Sequence, residues 1–148
     1  MSRIAFDTNV LVYAELEPDS KRGMRSRDLL LRAGPIGVIP VQVFGEFLRV
    51  VQRHASQRLA EAAAQVDQYA SFYASPLTTP EILINAAELA RAHGFQMFDA
   101  IIIVASSSAG ANVLLSEDMQ DGRAVGGLRI LNPFAPSNAA AIDALFPA

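Results

Sequence analysis

Cysteine is absent from the 148-residue sequence. That excludes disulfides, thiolate metal sites and cysteine nucleophiles, and it fits a reducing cytoplasm. Long apolar runs are also lacking. The stretch 100–105 falls far short of the ~20 residues of a membrane helix, so no membrane association is expected. One Arg and then a short strand pattern open the chain, with no long apolar stretch before a small-residue cleavage site, so no signal peptide is expected. Histidine occurs twice, His54 and His93, each at an expected helix end where a polar or cationic residue is favourable. Neither is assigned a catalytic part. Lysine occurs once, at Lys21, and the other bases are Arg, which suits bidentate phosphate contact. The net charge of −3 argues against a generic nucleic-acid binder. If four of the 15 acids serve a site of their own, the remaining 11 face 12 bases and the balance is close to neutral.

Apolar residues make up 51% of the chain and charged residues 18%, a globular composition with enough length for a core. There is no internal repeat, low-complexity segment or linker, so residues 1–148 are expected to form one domain. The apolar run at 3–6 reads as a strand, Asp7-Thr8-Asn9 as a turn, and residues 10–16 as a short helix. A second helix, capped by Ser20 or Asp19, runs to about residue 32. A short strand follows at 37–39, closed by Pro40. Residues 41–54 are strongly periodic: Val43, Phe44, Phe47, Leu48, Val50 and Val51 share one face, with Glu46 at its border. An Ala-rich helix covers about 57–73. Residues 75–79 are a candidate third strand. Thr79 caps a helix beginning at Pro80 and stopped by Gly94. Asp99 opens a helix that is apolar all round and therefore buried. Strands are expected at 112–116 and 129–131, and a small amphipathic helix at about 138–146. Alternating strands and helices imply a parallel sheet with helices on both faces.

Four acids stand where chemistry collects in such sheets. Asp7 ends the first strand and Asp118 follows the strand at 112–116, at the carboxyl edge where ligands bind. Glu46 borders the core face of its helix and Asp99 begins the buried one. Singly, each has a plain structural reading: an Asx turn for Asp7, a solvated flank for Glu46, an N-cap for Asp99, a loop charge for Asp118. Jointly they gather carboxylates on one edge of one sheet. Carboxylates in one crevice repel, and a divalent cation resolves the conflict. Without cysteine, and with no histidine near these motifs, the ligands are hard oxygens, which points to Mg2+ or Mn2+. Such ions activate water against phosphoryl groups, so phosphodiester cleavage is the reaction class favoured.

Asp7-Thr8-Asn9 after a strand, Glu46 within Val43-Phe44-Gly45-Glu46-Phe47, Phe98-Asp99-Ala100 opening a helix, and Ser116-Glu117-Asp118-Met119 after a strand together resemble the PIN-domain family. More closely, they are similar to the VapC-type toxins of bacterial toxin–antitoxin pairs. The likeness covers about residues 3–134. It implies a three-layer α/β/α fold with a parallel sheet in the order 3-2-1-4-5. It also implies an Mg2+- or Mn2+-dependent endoribonuclease, inhibited by a co-encoded antitoxin and usually a homodimer. Residue by residue, it implies Asp7, Glu46, Asp99 and Asp118 as the catalytic acids, with Asp7, Asp99 and Asp118 as metal ligands. Thr8, Ser116 and Asp121 are expected to support them, Thr8 by holding the Asp7 turn or bonding a carboxylate. Asp121-Gly122 is first of all a turn. Lys21, Arg22 and Arg25 concentrate positive charge on the second helix. They read as a solvated face, or as contacts to RNA phosphates or antitoxin. The tail at about 135–148 is expected to pack back on the core or bind a partner. Two other readings remain: a non-catalytic module with the same fold, and a Mg-dependent phosphatase of the haloacid-dehalogenase kind. The second needs an Asp two residues after Asp7, where Asn9 stands.

Overall fold

The computed structural model describes residues 2–146. Strand β1 (Arg3–Phe6) leads directly into helix α1 (Thr8–Leu16). Helix α2 (Lys21–Ala33) starts at Ser20, whose hydroxyl accepts the Gly23 N–H at 2.9 Å. Its first turn lies so close to the end of α1 that a Cβ on Gly23 would stand 1.8 Å from the Glu17 carbonyl oxygen, so only glycine fits there. Strand β2 (Gly37–Val38), helices α3 (Val41–His54) and α4 (Leu59–Phe72), and helices α5 (Pro80–His93) and α6 (Met97–Ser108) follow. Strands β3 (Ala111–Leu115), β4 (Ala124–Val125) and β5 (Leu128–Leu131) and the short helix α7 (Ala139–Asp143) complete the chain.

The strands form one sheet in the order β2-β1-β3-β5-β4, parallel except for the antiparallel β4. The helices flank it, as the alternating pattern requires. Two details differ from expectation. Residues 75–79 form no strand; the chain there is reduced to a single bridge between Val38 and Ala74. Ile39 and Val41 do bond the carbonyls of Ala74 and Pro76, but Pro40 and Pro76 bring no N–H, so a ladder cannot grow. The expected order 3-2-1-4-5 counts that segment as strand three. The addition is β4, which turns through Gly126 (φ +58°) and pairs back on β5.

Register places the site. Phe6 pairs with Leu115, and Leu115 with Leu131, so β1, β3 and β5 end level with one another. The Asp7 N–H then donates to the Leu115 carbonyl and the Ser116 N–H to the Leu131 carbonyl, both at 3.0 Å. Asp7 and Ser116 are thereby side by side at the carboxyl edge of the central strands. Beneath them Ile4, Ala5, Phe6, Leu114, Leu115 and Ile130 are fully buried, each pair of neighbouring strands contributing side chains to one continuous core. Val10, Leu11 and Ala14 bury the inner face of α1 on it. A smaller cluster, including Ile82, Ala86, Ala100 and Ile101, joins α5 to α6.

The tail folds back. Ile142 and Phe146 are buried in the main core, and Asp143 accepts from Arg32 at 2.8 Å and Arg25 at 3.3 Å. The expected helix at 138–146 is shorter than the apolar spacing suggested, and the last two residues of the expected tail lie outside the described ones. No helix among the described residues is long and apolar enough to cross a membrane.

Candidate active site

Asp7 sits at the junction of strand and helix, 4% exposed. Its extended backbone makes it the N-cap of α1, and its Oδ1 accepts the Thr8 N–H at 2.7 Å. Its Oδ2 accepts the Ser116 hydroxyl at 2.6 Å and the Asn9 amide at 3.4 Å. A carboxylate has about four lone-pair positions, so three donors orient Asp7 and leave about one position open. The Ser116 hydroxyl is itself held: it accepts the backbone N–H groups of Asp118 and Met119, both at 3.2 Å. One buried oxygen thus ties Asp7 to the loop that carries Asp118.

Asn9 makes the second tie. Its amide nitrogen donates to Asp7 and, at 3.3 Å, to Asp118 Oδ2, while its Oδ1 accepts the Glu117 N–H at 3.3 Å. Glu46, half-buried on α3, accepts the Thr8 hydroxyl at 3.4 Å and the Gln42 amide at 3.1 Å. Thr8 therefore both holds the Asp7 turn and bonds a carboxylate. Asp99 lies in the first turn of α6 and is not its N-cap, because that helix begins two residues earlier, at Met97, with Gln96 at the cap. Its carboxylate accepts no hydrogen bond from the chain among the described residues.

The acids feel one another. Burial, the largest effect, pushes Asp7 up to about 6; the Ser116 and Thr8 bonds pull it down, and the charges of Asp99 and Glu46 push it up further. Glu46 is raised by burial and by Asp99, against the Gln42 and Thr8 bonds and the charge of Arg49. Asp99 is raised by burial and by Asp118. None of the four has a basic partner within 4 Å among the described residues. Nor do any three acids or histidines among the described residues already form a coordination group. The four side chains offer only hard oxygen donors, which suit Mg2+ or Mn2+ more than zinc. Hard oxygens, acids without ion-pair partners among the described residues, and an oriented carboxylate with a free lone pair fit such an ion.

Glu46 and Asp118, with Thr8 and Asn9, open onto a crevice of about 380 Å³ whose lining also includes Tyr13, Arg49, Val50, Arg53 and His54 but neither Asp7 nor Asp99. Tyr13 closes one wall. Its hydroxyl donates to Glu117 at 2.5 Å, and Arg22 Nε reaches the other Glu117 oxygen at 3.0 Å. Burial and Glu117 push the Tyr13 hydroxyl up to about 12. Asn9, Tyr13, Arg49, Arg53 and His54 carry no mark in the sequence as site residues. Asn9 is legible there only as a residue that is not Asp, and the bases of α3 only as its polar face.

Other expected site residues fall elsewhere. Asp121 accepts the Asn132 N–H at 2.8 Å and the Asn138 amide at 2.9 and 3.1 Å. It pins the chain after β5 and does not line the crevice. Lys21, Arg22 and Arg25 border a separate depression of about 480 Å³ beside Phe134. Arg25 is committed within the fold, to the Pro133 carbonyl at 3.3 Å and to Asp143.

A family model described as PIN domain matches residues 4–123. No curated protein matches the sequence significantly. Among solved structures, VapC20 of Mycobacterium tuberculosis, described as a sarcin-ricin loop cleaving toxin, is similar with a TM-score of 0.65 and 19% identity, over 78% of this chain and 91% of that one. A toxin–antitoxin complex from Klebsiella pneumoniae is similar with a TM-score of 0.65 and 16% identity, over 88% and 98% of the two chains. DNA-bound VapBC from Salmonella typhimurium gives a TM-score of 0.62 and 19% identity, over 90% and 99%. With its sheet order, its acids at the carboxyl edge and a family match spanning most of its length, this chain belongs to the PIN-domain family.

Proposed function

We propose that the chain is an Mg2+- or Mn2+-dependent endoribonuclease and the toxin of a toxin–antitoxin pair, acting in the cytoplasm as a single-domain protomer of a homodimer. The observation that carries this reading is the set of four carboxylates, Asp7, Glu46, Asp99 and Asp118, which act on one another and have no ion-pair partner among the described residues. Asp7, Asp99 and Asp118 would hold the ion. A bound divalent cation supplies charge neutralisation at the phosphoryl oxygens and a water of lowered pKa. The chain's own groups do the rest. Ser116, Thr8 and Asn9 fix the Asp7 carboxylate; Asn9 and Ser116 fix the Asp118 loop. Glu46, with its raised pKa, would take the proton from the attacking water. Asp121 supports the tail.

Two exposed apolar features support the proposed protein partners. Ile84 on α5 and Phe98 on α6 are 70% and 56% exposed, large apolar side chains that a second copy would cover. An apolar groove of about 390 Å³ between α2 and α4, lined by Leu31, Phe72 and Tyr73 among others, suits an antitoxin segment. The similar structures from Klebsiella pneumoniae and Salmonella typhimurium are toxin–antitoxin complexes, which supports that partner here.

The test is cleavage of total RNA by purified protein in Mg2+ and in EDTA, beside Asp99→Asn, with circular dichroism to show that the variant is folded. Cleavage is expected only for the wild type in Mg2+. Full activity of Asp99→Asn would contradict the proposal.

A further inference from the structure

Most arginines of this chain are committed within the fold: Arg27 bonds the Ala14 carbonyl, Arg58 the Glu15 carbonyl, and Arg25 and Arg32 the carboxylate of Asp143. Arg49 and Arg53 are different. Both are exposed, and among the described residues neither makes a hydrogen bond or ion pair. Both line the crevice that holds Glu46 and Asp118. A helix C-terminus favours cations, which accounts for Arg53 and His54 in the last turn of α3. It does not account for Arg49, in the middle of the helix. Nor does Arg49 pair with Glu46, three residues before it, though that spacing allows an ion pair. The oxygens of Glu46 are taken by Thr8 and Gln42. Arg49 is left facing the crevice with its donors free.

We infer that Arg49 and Arg53 form a phosphate-binding wall that seats a single-stranded RNA along α3, on one side of the scissile bond. The inference rests on the ribonuclease reading. At 1.5 Å of rise per residue, Arg49 lies about 4.5 Å and Arg53 about 10.5 Å along the axis from Glu46. A strand whose scissile phosphate meets the acids therefore presents its next phosphates to the two guanidiniums in turn. Guanidinium forks suit phosphate oxygens bidentately. The cations also offset the repulsion an anionic strand meets on approaching four carboxylates. The charge of Arg49 lowers Glu46, whereas neither arginine is among the groups that shift Asp7 or Asp99. Both arginines act on binding, and neither touches the reacting atoms.

The test uses the intact protein and a fluorescein-labelled 12-nucleotide single-stranded RNA. Affinity is measured by anisotropy in EDTA across a salt series, for wild type, Arg49→Gln/Arg53→Gln and Arg129→Gln, the last an exposed cation outside the crevice. Removing one guanidinium–phosphate pair lowers the slope of log K against log salt by about 0.7 for a single strand. The double variant is therefore expected to have a slope smaller by about 1.4, and Arg129→Gln an unchanged one. In Mg2+ the double variant should raise KM roughly tenfold or more with kcat little changed. A double variant with wild-type slope and KM overturns the inference and leaves the ribonuclease reading standing. A fall in kcat at unchanged KM also overturns it. A wild type that neither binds nor cleaves RNA overturns the ribonuclease reading, and this inference with it.

Discussion

Replacing Asp7 by Asn should stabilise the metal-free protein. Asp7 is almost wholly buried, and its carboxyl is raised from an ordinary 3.8 to about 6. The folded state therefore holds the proton more tightly than the unfolded chain. Stability falls as pH rises through the window between those two values; the penalty is absent below about 4 and complete above about 6. A rise of about two pH units, at about 1.36 kcal/mol each, gives about 3 kcal/mol at neutral pH. Asparagine removes that charge but offers one acceptor oxygen to the three donors Thr8, Ser116 and Asn9, which costs about 1 kcal/mol. The net gain is about 2 kcal/mol, or roughly 4–8 °C in Tm for a chain of this size. The assay is thermal unfolding in EDTA from pH 4 to 8. Near pH 4, where the charge penalty is absent, the variant should be lower by about 1 kcal/mol; the two should cross as pH rises, with the variant higher above pH 6. Saturating Mg2+ should reverse the order, because an ion that binds only the folded wild type adds about 2.7 kcal/mol at a hundredfold excess over Kd. A variant that melts below the wild type in EDTA at pH 7.5 would show the opposite, that the buried charge is stabilising.

Ser116→Ala removes the bond that most lowers Asp7, so the acidic limb of the pH–rate profile for RNA cleavage should move to higher pH. Asn9→Ala unties Asp7 from Asp118 and should lower kcat or metal affinity about 10- to 100-fold, as loss of a residue that orients ligands does; activity and Mn2+ titration read it. Leu114→Ala, in fully buried β3, should cost about 2–5 kcal/mol in urea unfolding with the m-value unchanged. Asp121→Ala frees the Asn132 N–H and the Asn138 amide. It should lower stability by about 1 kcal/mol while leaving Mn2+ affinity as in the wild type.

The alternation of strands and helices is legible in the sequence because each element has a local cause. Ser20, Thr79 and Gly94 mark helix ends at the positions the structure shows. Asp7 and Asp118 are legible because each follows an apolar run that can only be a strand. What sequence cannot show depends on register. Asn9 bridges two acids only because β1 and β3 end level, and that alignment is a long-range pairing with no local signature. The start of α6 lies two residues before Asp99, where it was expected, since Gln96 caps the helix without a side-chain bond and so leaves no Ser, Thr or Asp signal. Arg25 and Arg49 look alike in sequence. One is held by a tail more than a hundred residues away and the other opens onto the crevice. Asp121 stands three residues after Asp118, yet the turn at Gly122 (φ +82°) and the pull of Asn132 and Asn138 send it to the tail.

Everything proposed for this protein depends on Asp7, Asp99 and Asp118, with Glu46 beside them, holding a divalent cation. Calorimetric titration of Mn2+ into the purified protein at pH 7.5, beside Asp7→Asn, reads that binding without any assumption about the RNA. The wild type should bind saturably below millimolar metal, more weakly as pH falls below about 6, and the variant at least tenfold more weakly. No binding by the wild type at millimolar Mn2+, or equal binding by Asp7→Asn, would contradict the metal site.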